Sequence, residues 1–140
     1  MGAMTARDLL LKQLAHSERQ VSLAIKGLDS SMAETRAYPD GMTIREQVHH
    51  LSEAAAATIA AFEGREHAWG SFETEDRSWE GVKAAWQELR KAAVATLTDS
   101  EQALWGAHQF LVAHDYYHVG QIAAARRTGQ PDWTSYEIYE

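Results

Sequence analysis

Two histidines four residues apart, His114 and His118, lie in the stretch Leu111-Val112-Ala113-His114-Asp115-Tyr116-Tyr117-His118-Val119-Gly120-Gln121-Ile122. An α-helix advances about 100° per residue, so positions four apart stand about 40° apart on one face. On that count Leu104, Ala107, Leu111, Ile122 and Ala125 fall within about 40° of the direction of His118, and so does His114. Both imidazoles then point where a core should be. A buried imidazole left unpaired costs about 1–3 kcal/mol, so it needs a hydrogen bond or a metal. Neutral imidazole is the commonest metal ligand, and two of them one turn apart can share one ion. Two core histidines satisfied by protein groups are the competing reading, and a third ligand from another element would decide between them.

The elements that must position this pair read as helices. The first runs from about Thr5 to Leu28, opened by Thr5 with Asp8 and carrying Leu10, Leu14, Val21, Ala24, Ile25 and Leu28 at helical spacing. His16 lies off that stripe, at the surface. Residues 29–42 read as a loop. A second helix opens on the capping box Thr43 to Glu46 and runs to about Phe62, with Ile44, Val48, Leu51, Ala55, Thr58 and Phe62 inward. On it, His49 points about 160° from Leu51, toward solvent, and His50 about 100° from it, on the shoulder with Gln47, Ala54 and Ala57. His50 can therefore reach an inter-helix space and His49 cannot. The run Ala54-Ala55-Ala56-Ala57 lets a neighbour approach closely or leaves room for a pocket.

Residues 63–77 form a second loop with an acidic run, Glu73 to Asp76. Ser78 caps a third helix bearing Trp79, Val82, Trp86, Leu89, Ala93 and Leu97, with Gly81 a mild cost in its first turn. A second capping box, Thr98 to Glu101, opens the fourth helix, which Trp105-Gly106 can bend or break. That helix ends at Arg126-Arg127-Thr128-Gly129-Gln130-Pro131, cations then glycine then proline. Trp133, Tyr136 and Tyr139 predict a tail that packs back onto the body. No segment alternates with period two, so four helices make an all-α, four-helix bundle the expected fold.

Composition narrows the function classes. The 140 residues suit one domain, taken as 4–140 with Met1-Gly2-Ala3 read as a cloning scar. The net charge of −7 argues against nucleic acid as a partner. Without cysteine there is no thiolate zinc site and no thiol nucleophile. No apolar run approaches the ~18 residues that span a bilayer, and no basic-then-apolar leader opens the chain, so a cytoplasmic protein with no membrane partner is expected.

The helix-two string Glu46-Gln47-Val48-His49-His50-Leu51-Ser52-Glu53-Ala54 and the helix-four string His114-Asp115-Tyr116-Tyr117-His118-Val119-Gly120-Gln121-Ile122 together resemble the DinB/YfiT-like metalloenzyme superfamily. The resemblance covers nearly the whole chain, including the basic end of the last helix. It implies an up-down-down-up four-helix bundle with a divalent metal held by His50, His114 and His118. It also implies a low-molecular-weight thiol as cosubstrate, since the family includes thiol-dependent transferases and a maleylpyruvate isomerase that uses mycothiol. Three histidines leave a position open on a tetrahedral ion, the arrangement of a catalytic site. Such an ion lowers the pKa of a bound water or holds a thiol as thiolate. Zn²⁺ or Ni²⁺ suits imidazole best. The expected function is a metal-dependent enzyme, transferase- or isomerase-like, acting on a small-molecule substrate. A homodimer is the expectation for any assembly.

Neighbouring residues carry further expectations. Asp115 either orients a ligand histidine or stands on the helix flank, in a salt bridge or as a solvated carboxylate. Tyr117 lines the pocket while Tyr116 faces outward. Gln121 hydrogen-bonds a ligand or, the better reading, another helix. His16, His67 and His108 are non-ligands, and Arg126 and Arg127 complement the helix end, with binding of an anionic substrate the alternative for one of them. Two rivals stand beside the metalloenzyme. One is a zinc peptidase, in which His114-Asp115-Tyr116-Tyr117-His118 mimics HExxH and Glu137 serves as third ligand. The other is a metal-binding, stress-associated bundle without catalysis.

Overall fold

A computed structural model describes residues 2–140; Met1, the first residue of the expected scar, lies outside them. The described residues are all-helical. Helix α1 spans Ala6–Ile25, α2 Ile44–Phe62, α3 Trp79–Ala95, α4 Glu101–Ala107 and α5 His114–Gly129. A π-helical turn, His108–Ala113, joins α4 to α5 into one rod, so the bundle has four rods. Short 3-10 turns at Met32–Glu34 and Ser135–Tyr139 complete it. Among the described residues no helix is long and apolar enough to cross a membrane.

The helix starts follow from capping. The Thr5–Asp8 and Thr43–Glu46 boxes are both closed reciprocally, each hydroxyl accepting from the N3 amide and each carboxylate from the cap amide. The expected box at Thr98 is corrected: Ser100 caps α4 by accepting from the Ala103 amide, and Thr98 donates to the Ser100 hydroxyl. Trp105-Gly106 does not break the rod either, because the irregularity comes two residues later, at His108.

Contacts between the rods fix their directions. Ser17 meets Asp115 and the Ala24 carbonyl meets Arg126, so α1 and α5 run the same way. Gln47 meets His118 while His50 meets His114, so α2 runs opposite to α5. Val48 and Leu51 share one apolar cluster with Val82 and Trp86, and Ala55 and Ile59 share another with Ala93 and Leu97, so α3 runs with α2.

The π turn sets the phase of everything after it. Ala103 and Ala107 are buried upstream. An unbroken 3.6 repeat would continue their stripe through Phe110 and His114. A π turn absorbs one extra residue, and the buried positions are instead Leu111, Asp115, His118 and Ile122. The expected stripe through Leu104 is corrected by the same slip: Leu104 is half-buried and Ala103 takes its place.

The tail packs back only in part. Trp133 lies under the Arg126 guanidinium, 4.7 Å from centroid to Cζ, Ile138 touches the core, and Arg19 donates to the Glu140 carbonyl. Tyr136 and Tyr139 stay exposed.

Gly81 is required where a mild cost was expected. A Cβ there would stand 2.3 Å from Asp76 Cγ and 2.4 Å from its backbone oxygen. Helix propensity alone would make Gly81→Ala stabilising by about 1 kcal/mol. The clash should reverse the sign, to a loss of about 1–3 kcal/mol; a urea midpoint at or above that of wild type would refute the close approach.

Candidate metal centre

Three histidines from two rods converge at mid-height of the bundle. His50 projects from α2, and His114 and His118 from successive turns of α5. His50 Nε2 and His114 Nε2 stand 3.0 Å apart, and one ring nitrogen from each of the three lies within 4.8 Å of the others. The ring centroids are 4.8, 5.1 and 4.9 Å apart for the 50–114, 50–118 and 114–118 pairs. Two imidazoles on one tetrahedral zinc, with bonds of about 2.05 Å, place their nitrogens roughly 3.3 Å apart. The donor set and spacing fit a divalent ion.

Each imidazole is kept neutral, the form that binds metal. Burial pushes His118 down to about 3, with smaller contributions from His114 and His50. Burial also lowers His50 and His114; the His50 ring adds to the effect on His114, and the Phe110 carbonyl one turn back opposes it. Gln47 accepts through Oε1 from His118 Nδ1 at 3.1 Å, which leaves His118 Nε2 as a bare lone pair. Gln47 was on the His50 shoulder of α2 in the sequence, but only the fold shows that its amide serves the histidine of another helix.

The pH consequence has a definite sign. In the unfolded chain His118 takes its proton near 6.5, whereas in the folded chain it does so only near 3. Between those values the unfolded chain holds the extra proton, so stability rises with pH and is complete above about 6.5. The metal-free protein should lose about 2 kcal/mol through His118 between pH 7 and pH 5. Urea titrations of wild type and His118→Leu should show this as an excess acid sensitivity of wild type; parallel pH profiles would contradict it.

Loop residues 63–78 wall the centre. The Trp69 ring stands 5.9 Å from His50, 5.1 Å from His67 and 6.4 Å from Phe110. Glu53, buried on α2, accepts from His67 Nε2 at 2.9 Å and from the Gly70 amide. Burial pushes the Glu53 carboxyl up, but these bonds outweigh it and hold it below its ordinary value. His67 is thus a clasp for the loop and not part of the cluster. Gly70 adopts φ +88°, a left-handed conformation that glycine takes without strain. This clasp joins residues 14 and 17 apart across a turn, and no local pattern announces it.

His49 is corrected in one respect. It stays out of the cluster, as its phase requires, but it is half-buried under the loop rather than solvent-facing. Its Nε2 bonds the Phe72 carbonyl at 3.2 Å and its ring packs on Phe72. Tyr117 is exposed, with its ring edge-on to His118 at 5.1 Å and its hydroxyl accepting from Gln121 Nε2 at 2.8 Å. Gln121 therefore bonds within its own helix and not another, because Tyr117 stands one turn back on the same face. Tyr116 is partly exposed, and its hydroxyl meets His16 Nδ1 at 2.7 Å. His108 stacks on Trp105, away from the cluster.

Asp115 resolves into the ion-pair reading, but in the core and not on a flank. It is 1% exposed and accepts from the Ser17 hydroxyl at 2.6 Å and from Arg90 Nη1. Arg90 is 2% exposed and also donates through Nη2 to the Leu14 carbonyl and to Ser17. Burial pushes the Asp115 carboxyl up, and Arg90 and Ser17 hold back part of that rise. This polar layer separates the two apolar clusters of the core: Leu14, Ala93 and Leu111 lie on one side, and Val21, Trp86 and Val119 on the other. The peptidase reading fails here, since the carboxylate between the two histidines is committed to Arg90 and Ser17. Glu137 accepts from Trp133 Nε1 and is not in the histidine cluster. Arg126 closes the rod by donating to the Ala24 carbonyl and to Gln130.

Comparison with known protein families, with curated proteins and with solved structures found no match to this chain.

Proposed function

We propose that this protein is a DinB/YfiT-like metalloenzyme that binds one divalent ion, zinc or nickel, through His50, His114 and His118, and acts as a thiol transferase or isomerase on a small-molecule electrophile. The observation that carries the reading is the convergence of three neutral imidazoles from α2 and α5, with ring nitrogens within 4.8 Å of one another. The rod directions described above agree with the order the resemblance implies. A bound ion would activate a water or hold a low-molecular-weight thiol as thiolate. Around it the chain supplies orientation and shielding. Gln47 fixes the His118 ring, and the Trp69 and Tyr117 rings stand beside the cluster. No lysine or arginine bonds the cluster or its aromatic walls among the described residues, which favours a neutral electrophile.

The test is turnover. Zinc- and nickel-loaded protein should conjugate cysteine, bacillithiol or mycothiol to a halonitroarene, or isomerise an uncharged maleate diester, above background. That rate should vanish with chelator and in His118→Ala. A protein with one ion per chain that turns over none of these, with thiol or with water, would favour the non-catalytic metal-binding bundle.

A further inference from the structure

A cavity of about 440 Å³ opens where α2 ends and α4 begins. That volume lies within the range of about 300–1,000 Å³ typical of small-molecule sites. Its walls include the rings of Phe62, Trp105 and Phe110, and its polar groups are uncharged apart from Glu63. Glu63 is already paired with Arg65. No lysine, arginine or histidine lines the cavity, and the chain carries a net charge of −7. Thr98 and Gln109 offer hydroxyl and amide groups at the wall. That chemistry suits a neutral molecule and opposes an anion.

Gly106 supplies an independent pointer. Glycine inside a helix costs about 0.8–1 kcal/mol relative to alanine. Packing gives no reason for it here: a Cβ on Gly106 would meet only Phe62 Cε1, at 3.9 Å, an ordinary contact. What the missing side chain leaves open is the cavity wall itself. Phe110 links the cavity to the metal centre. It lines the cavity and has its ring against Trp69, which in turn stands over His50. Phe110 at the cavity edge lies four residues before His114, within the π turn.

We infer that this cavity binds a neutral, mainly aromatic molecule and seats the organic part of the substrate, with Phe110 between it and the metal centre. The second half rests on the proposed metalloenzyme; the binding site does not.

A matched pair of fluorescent probes tests it on metal-free and zinc-loaded protein alike. N-phenyl-1-naphthylamine is neutral, and 8-anilino-1-naphthalenesulfonate is the same ring system with a sulfonate. The neutral probe should bind saturably at one per chain, at least tenfold more tightly than the anionic one. Gly106→Leu should weaken it at least tenfold with the helical circular dichroism spectrum and metal content unchanged. Gly106→Ala should fold normally and melt at or above wild type. The inference is overturned by absent saturation, by equal or tighter binding of the sulfonate, by Gly106→Leu binding like wild type, or by Gly106→Ala lowering the melting temperature. Since the binding arms need no ion, their failure would leave the metal reading standing.

Discussion

Replacing Arg90 with alanine is expected to destabilise the protein by about 3–5 kcal/mol, the usual cost of stripping one partner from a buried ion pair. The Asp115 carboxylate, 1% exposed in wild type, would keep only Ser17 as its partner. Asp115→Ala should cost a similar amount, leaving the guanidinium stranded. Removing both charges together is different. Arg90→Met with Asp115→Leu should lie close to wild type or above it, because desolvating two ions offsets most of their attraction. Arg90 Nε has no partner among the described residues, so the native layer is not fully satisfied. Chemical denaturation of the three variants checks this. A double variant as unstable as the sum of the singles would show that the pair contributes more than mutual neutralisation.

Replacing His118 with alanine should lower metal affinity at least a hundredfold, since it removes the most buried of three donors and the one whose tautomer Gln47 fixes. Gln47→Ala should cost less, about 10–100-fold, because the donor survives without its orientation. His49→Ala should leave affinity unchanged, because that ring bonds the Phe72 carbonyl and not the cluster. The thermal readout follows by mass action. Excess zinc at about 100 times its dissociation constant should stabilise wild type by about 2.7 kcal/mol, and His118→Ala by little at the same concentration. Equal zinc-induced shifts in wild type, His118→Ala and His49→Ala would remove the site.

The sequence made the helices and the histidine pair legible because both depend on local periodicity. Thr5 with Asp8 and Thr43 with Glu46 announce their helix starts within four residues, and His114 and His118 announce a shared face the same way. His50 was separable from His49 by helical phase alone. The polar layer was hidden by that same reasoning. Ser17, Arg90 and Asp115 each occupy a gap in an apolar stripe, and none of them alone points to its partner. Arg90 lies four after Trp86 and three before Ala93, so its phase was inward, but a charge there is credible only once its partner is known. The π turn was hidden more deeply, since a count at 100° per residue assumes the regular helix that His108–Ala113 departs from. The count still brought both histidines near the right face, but it placed Leu104 inward and gave Asp115 no place in the core. The loop over His49 depends on a clasp between Glu53 and Gly70, a contact no local rule could supply.

The most direct test of the central claim is X-ray absorption at the zinc edge on protein loaded with one equivalent of zinc. The account predicts one tightly held ion per chain, with multiple scattering from three imidazoles at about 2.0 Å and a further light donor in the first shell. In His49→Ala the spectrum should be unchanged, and in His50→Ala one imidazole should be lost. An ion ringed by carboxylate oxygens, or no stoichiometric binding at all, would contradict the assignment of His50, His114 and His118 as a metal centre.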